Sequence, residues 1–130
     1  MILITGATGK TGSATAKSLG EKGETFRALI RNEEKKEGLE SLGGEVVIGS
    51  IENTDVVNQS MQGVKTVLVL LPNSESQLAL EKQLVDSAKQ AGVERIVKMS
   101  SIEATPDATS QIPKLHLESE EYINQSGLAW

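Results

Sequence analysis

The chain has no cysteine, one histidine, three prolines and three aromatic residues, Phe26, Tyr122 and Trp130, among its 130 residues. Lack of cysteine removes disulfide staples and thiol nucleophiles and agrees with a reducing compartment. One histidine leaves too few soft ligands for a structural zinc site, so no metal is expected. With so few aromatics, the core must come from Val, Ile, Leu and Ala, the usual material of buried parallel strands and their covering helices. No apolar run approaches the roughly 20 residues that span a bilayer. The first apolar segment runs straight into glycines, without the small-residue cleavage pattern of a signal peptide. A cytoplasmic protein with no membrane partner is expected. Positive charge is also short: 13 Lys and Arg against 18 Asp and Glu leave a net charge of -5. That lacks the basic footprint of nucleic-acid binders, so no direct nucleic-acid partner is expected.

What is present is a globular composition, 38% hydrophobic and 24% charged, arranged in alternation. Short branched runs at Ile2-Leu3-Ile4, Phe26 to Ile30, Val46-Val47-Ile48, Val67 to Leu71 and Ile96 to Met99 read as five strands. Between them, helices are expected at Lys10 to Lys22, Glu33 to Leu42, Thr54 to Met61, Glu75 to Ala91 and Pro113 to Gln125, with Gly23, Gly43, Gly63, Gly92 and Gly127 at their ends. In the fourth helix Leu80, Leu84, Ala88 and Ala91 form an apolar stripe. Glu81, Lys82, Asp86, Lys89 and Gln90 are expected to point largely elsewhere, and Ser74 with Gln77 to form a capping box. Glu33-Glu34-Lys35-Lys36-Glu37 reads as the solvated face of a short helix. Strand and helix in alternation with short loops force parallel pairing. The expected fold is α/β: a doubly wound parallel sheet of the Rossmann type, five strands in the order 3-2-1-4-5, helices on both faces, in one domain over residues 1–130.

Thr5-Gly6-Ala7-Thr8-Gly9-Lys10-Thr11-Gly12 follows the first strand and opens the first helix. In that context Gly6 allows a tight turn, Gly9 lets the backbone approach a pyrophosphate, and Gly12 lets the helix pack closely on the strand. Free N–H groups at the helix start then hold the anion. The spacing is G-x-x-G-x-x-G, which departs from G-x-G-x-x-G and leaves a purely structural turn as the competing reading. Gly9-Lys10-Thr11 also matches the end of an ATPase loop. That loop needs a further glycine where this chain has Ile4, and no apolar strand here closes on the Asp a magnesium site requires.

The residue closing the second strand discriminates between dinucleotides. A free ribose 2′-hydroxyl is usually met there by Asp or Glu, and a 2′-phosphate by a cation. Arg31 occupies that place and its fork suits a phosphate, so NADP(H) is preferred over NAD(H). Against this, Arg31 also reads as an exposed residue at a helix start, and Glu33 and Glu34 would repel the phosphate if turned inward.

Ile4 to Gly12, Arg31-Asn32, Gly49-Ser50, Val67 to Pro72, Val97-Lys98-Met99-Ser100-Ser101 and the run from His116 to Trp130 together resemble the NmrA-like group of atypical short-chain dehydrogenases, over the whole chain. The resemblance implies an NAD(P)-binding Rossmann domain. Some members of that group reduce quinones, flavins or other small electrophiles; others only sense the cofactor's redox state and act on a protein partner. Carried over by position, the backbone from Thr8 to Thr11 holds the pyrophosphate and Arg31 the adenosine phosphate. Ser50 and Ile51 flank the adenine, Leu71 and Pro72 the nicotinamide-side ribose, and Ser100 and Ser101 the nicotinamide. The group usually has Gly-Asp where this chain has Gly49-Ser50, which weakens the adenine contact or leaves it to backbone. Ser101 stands evenly between cofactor contact and bystander.

The Tyr-x-x-x-Lys pair of the standard short-chain dehydrogenases is missing, because Tyr122 is followed at that spacing by Ser126. Catalytic residues therefore stay unassigned. Lys114 and His116 are the titratable candidates near the expected nicotinamide face, and a lone His at a helix start is more often structural. Members of the group continue past a Ser-Gly-Leu-x-Trp segment into a sixth strand and a small substrate domain. The chain thus reads as C-terminally short, with its fifth strand an exposed edge through which, or through the helices facing it, copies associate. Two functions follow: NADPH-dependent reduction of a small acceptor by hydride transfer, and non-catalytic NADP(H) sensing through a protein partner.

Overall fold

The computed structural model describes residues 1–130. Strands β1 (Ile2–Thr5), β2 (Phe26–Ile30), β3 (Glu45–Ile48), β4 (Thr66–Val69) and β5 (Arg95–Lys98) alternate with helices α1 (Lys10–Glu21), α2 (Lys36–Glu40), α3 (Thr54–Ser60), α4 (Gln77–Gln90) and α5 (Gln111–Ser126). Every ladder is parallel and the sheet runs β3-β2-β1-β4-β5. This is the expected doubly wound order. Period-two alternation divides the core into two layers. Leu3, Val67, Val69 and Ile96 pack with Val57, Met61, Leu84, Val85, Ala88 and Ile123 on the α3, α4 and α5 side. Ile4, Ala28 and Ile30 pack with Ala16, Phe26 and Leu39 on the α1 and α2 side. The five helix-end glycines all adopt positive φ, between 70° and 83°, where a Cβ would be strained.

Several local expectations need correction. The segment expected as one helix from Glu33 to Leu42 is a 3₁₀ turn at Glu33–Lys35, capped by the Asn32 side chain, followed by the short α2. The expected Ser74–Gln77 capping box does not form. α4 starts at Gln77 after Ser76 with no side-chain cap, and the Gln77 amide turns inward to donate to Glu81 Oε1 at 3.1 Å. Glu81, expected on the polar face, is 2% exposed. Gln77, Glu81, Leu84 and Ala88 recur at helical spacing, so the two polar residues extend the buried stripe by position. β4 ends at Val69, two residues before the apolar run does, because Leu70 and Leu71 turn out of the sheet.

β5 is an edge of the sheet, with one isolated parallel bridge from Arg95 to Ala129. No helix is long and apolar enough to cross a membrane. No group of three or more His, Asp or Glu side chains is placed to hold a metal ion.

Candidate functional site

β1 lies between β2 and β4, so the chain leaves β1 at the point where the strand order reverses. Crevices at the carboxyl ends of strands form at this switch point. The Thr5 hydroxyl is buried there, accepting from the Leu70 amide at 2.9 Å and lying 3.1 Å from the Leu68 carbonyl. It continues the β1–β4 pairing one residue beyond the last ladder pair, Ile4 with Leu68. Gly6 then turns at φ +65°, and a Cβ on it would lie 2.5 Å from the Leu70 carbonyl oxygen. A Cβ on Gly12 would lie 2.2 Å from the Gly6 oxygen and 2.8 Å from Ala7 Cα, so the helix start is pressed against the loop backbone. Gly9 differs: the nearest atom to its Cβ would be the Gly6 oxygen at 3.4 Å. Packing explains Gly6 and Gly12, whereas a Cβ on Gly9 would make only an ordinary contact.

The start of α1 is uncommitted. Gly9 is its cap without a side-chain bond, its first turn contains no acid, and the amides of Lys10, Thr11 and Gly12 donate to no protein acceptor. Such an end carries free N–H groups and partial positive charge.

A cavity of about 300 Å³ opens beside this loop. Thr5, Gly6 and Thr8 form one wall; Leu29, Ile30 and Arg31 at the end of β2 form the next. Gly49, Ile51 and Glu52 after β3, Leu70, Leu71, Pro72, Ser74 and Ser76 between β4 and α4, and Leu80 in α4 complete it. Arg31 makes no ion pair or side-chain hydrogen bond, and Glu33 and Glu34 are exposed and do not line the cavity.

Of the residues expected at a site, Gly6, Thr8, Arg31, Ile51, Leu71 and Pro72 therefore come together on this cavity. Gly9, Lys10 and Thr11 stand exposed at the neighbouring helix start, and Gly12 is buried behind them. Ser50 does not line the cavity; its hydroxyl accepts from the Glu52 amide at 3.2 Å and closes a turn. Ser100 and Ser101, beyond β5, also lie off it. Ser100 donates to Glu120, and Ser101 accepts from the Glu103 amide at 3.3 Å. Lys114 is exposed on α5, and His116 is buried at 7% exposure.

Two features escaped the residue-by-residue reading. Glu52 reaches the cavity, three residues past Gly49. Lys98, the last residue of β5, brings its Nζ to 2.6 Å from His116 Nδ1 and 3.7 Å from Glu81 Oε1. The signal for Lys98 was period two: Ile96 points inward, so Lys98 does too. Burial pulls the Lys98 ammonium below the ordinary lysine value, against the opposing carboxylates of Glu81 and Glu120. His116 is likewise held below the ordinary histidine value, first by burial and then by the Lys98 charge.

Residues 6–130 match the family model described as NAD(P)H-binding. The chain belongs to this NAD(P)H-binding family. Its relatives place it in the NmrA-like, atypical short-chain dehydrogenase group. It is 32% identical over 130 residues to an NAD(P)H azoreductase of Xenophilus azovorans, covering 100% of this chain and 46% of that protein. Among solved structures it superposes with a TM-score of 0.86 and 25% identity on a Citrobacter sp. triphenylmethane reductase complexed with NADP(H), covering 98% of this chain and 46% of that one. An NADPH-dependent quinone oxidoreductase from Escherichia coli, complexed with NADPH, gives 0.85 and 26% over the same shares. The chain spans about half the length of these relatives.

The residues present fit a dinucleotide. Unpaired amides at the start of α1 follow directly on the wall made by Thr5, Gly6 and Thr8, the unpaired Arg31 guanidinium stands on the next wall, and a Cβ at Gly9 would meet no atom closer than 3.4 Å.

Proposed function

We propose that residues 1–130 form one domain that binds NADP(H) and reduces a small acceptor, a quinone, a dye or a flavin. The observation that carries the cofactor choice is Arg31, a cation with no partner on the cavity wall at the end of β2. It would take the 2′-phosphate through its fork. The backbone from Thr8 to Thr11 would take the pyrophosphate, and Ile51 would cover the adenine. Glu52 stands where a carboxylate can accept from the adenine amino group, since Ser50 is engaged in its own turn. Leu71 and Pro72 would bound the nicotinamide-side ribose, with Ser100 and Ser101 beyond them toward β5. When bound, the cofactor supplies a hydride; the chain's part is to position it and to exclude water.

The azoreductase, dye reductase and quinone reductase relatives support the acceptor class. The absence of cysteine supports a cytoplasmic setting. Val97 in β5 and Met99 just after it, each about half exposed, support self-association. A clean monomer in light scattering at high concentration would sink that last point.

Titration with NADPH and NADH, with Arg31→Ala as control, tests the cofactor assignment. The variant should lose about tenfold to a hundredfold in NADPH affinity, the range of a hydrogen bond to a charged group, while NADH binding holds. Equal binding by variant and parent refutes the assignment. Tight NADPH binding with no turnover of any quinone, dye or flavin would instead favour a cofactor sensor acting through a protein partner.

A further inference from the structure

Lys98, Glu81 and His116 are side chains from three elements, β5, α4 and α5; Lys98 and Glu81 are shut off from solvent and His116 is nearly so. The Lys98 side chain is 2% exposed and its ammonium has three partners: His116 Nδ1 at 2.6 Å, the Met99 carbonyl at 3.1 Å and Glu81 Oε1 at 3.7 Å. An ammonium has donors only, so His116 Nδ1 is the acceptor and the ring proton sits on Nε2. Nε2 has no protein partner. It is also absent from the sealed unpaired atoms, which are Gln77 Oε1 and Glu81 Oε2, so it keeps contact with solvent. Ile112 and Leu115, on the turn just before His116, wall a second cavity of about 130 Å³. Its other wall is Asn73, Ser74 and Glu75, which continue directly from Leu71 and Pro72 of the cofactor cavity. The imidazole itself lines neither cavity; it stands with a proton-bearing nitrogen in contact with solvent and a cation behind it, one residue after Leu115 and one helical turn after Ile112, which wall the second cavity.

Resting on the reductase reading above, we propose that His116 is a catalytic residue for acceptors that need a proton, passing one from Lys98 to the reduced acceptor. For a quinone, a hydride and one proton make the hydroquinone. A bound reduced dinucleotide would supply the hydride and be oxidised in doing so. The Nε2–H bond of His116 breaks as the acceptor oxygen takes its proton, and Nδ1 takes a proton from the Lys98 ammonium, which becomes a neutral amine. After product leaves, water protonates Nε2 and Nδ1 returns its proton to Lys98. A cationic triphenylmethane dye accepts the hydride at its central carbon and becomes neutral with no proton at all. One residue therefore separates two acceptor classes.

The charged groups around the imidazole are compatible with this relay. Lys98 faces it from β5, Glu81 from α4 and Glu120, one turn along α5, from its own helix. Burial and the facing ammonium keep the ring neutral, and burial makes the ammonium a better acid than an ordinary lysine.

The test combines kinetics with a measurement that needs no turnover. NADPH oxidation is followed with a 1,4-naphthoquinone and with a cationic triphenylmethane dye, for the parent, His116→Gln and Lys98→Arg. Arg keeps the cation but does not release a proton near neutral pH. In both variants the ratio of quinone rate to dye rate should fall about a hundredfold, and the parent should show a solvent deuterium effect with quinone only. Nitrogen NMR of the chain's single histidine should show Nε2 protonated and Nδ1 accepting. An unchanged ratio in both variants, or a parent imidazole protonated on Nδ1, overturns the relay and leaves the reductase reading standing. No turnover of either acceptor overturns both.

Discussion

The Thr5 hydroxyl accepts from the Leu70 amide at 2.9 Å while a Cβ at Gly6, the next residue, would meet the Leu70 carbonyl oxygen at 2.5 Å. One β4-side residue is thus held by the last residue of β1 and closely approached by the first residue of the loop that follows. The glycine loop owes its position to this contact as much as to its own turn.

Thr5→Val should leave the Leu70 amide buried and unpaired, costing about 1–3 kcal/mol. Thermal unfolding should register this as roughly 4 °C lost for each kcal/mol in a domain near this size. Thr5→Ser, which keeps the hydroxyl, should recover most of the loss. A valine variant as stable as the parent would show that the bond contributes nothing.

The glycines of the loop should divide by role. Gly12→Ala places its methyl 2.2 Å from the Gly6 oxygen and should lower stability by about 1–3 kcal/mol through overpacking. Gly9→Ala meets nothing closer than 3.4 Å and has an ordinary φ of -78°, so it should melt near the parent. Its dinucleotide affinity should nonetheless fall, because the methyl occupies the ligand's side of the loop. Calorimetric melting and cofactor titration on the same two proteins check both halves.

Breaking the buried ion pair from one side should be far worse than removing it. Lys98→Met alone strands Glu81, which is 2% exposed, and should cost about 3–5 kcal/mol. Adding Glu81→Leu should return most of that stability, since it removes the stranded charge. Urea unfolding of the two single variants and the double variant gives the coupling; additive losses would contradict the contact.

His116 also predicts a pH dependence. Its folded value lies below the ordinary 6.5, so between the two values the unfolded chain binds more protons. Stability from this group is complete above about pH 6.5 and declines as pH falls through the depressed folded value. Melting temperature against pH should therefore begin to drop below pH 6.5, before the carboxylates titrate, and His116→Gln should flatten that first drop.

Reading the sequence alone determined the five strands, the parallel order, the helix-end glycines and the glycine loop with Arg31 across from it. These are local or periodic properties. Branched runs, φ-permissive residues and short alternating connections leave one economical topology, and the cavity forms where that topology reverses. The family resemblance implied Ser50, Ser100 and Ser101 as cofactor contacts, with Ser101 even between contact and bystander. In the structure their hydroxyls bond to the Glu52 amide, Glu120 and the Glu103 amide, partners that depend on loop conformation. Only tertiary structure decided that Gln77 and Glu81 turn inward, because a polar residue on a buried stripe needs a partner from elsewhere in the chain. That partner, Lys98, comes from a strand 17 residues after Glu81 and meets His116, 18 residues further on. No local pattern joins the three; the packing of α4 and α5 over the end of β5 does.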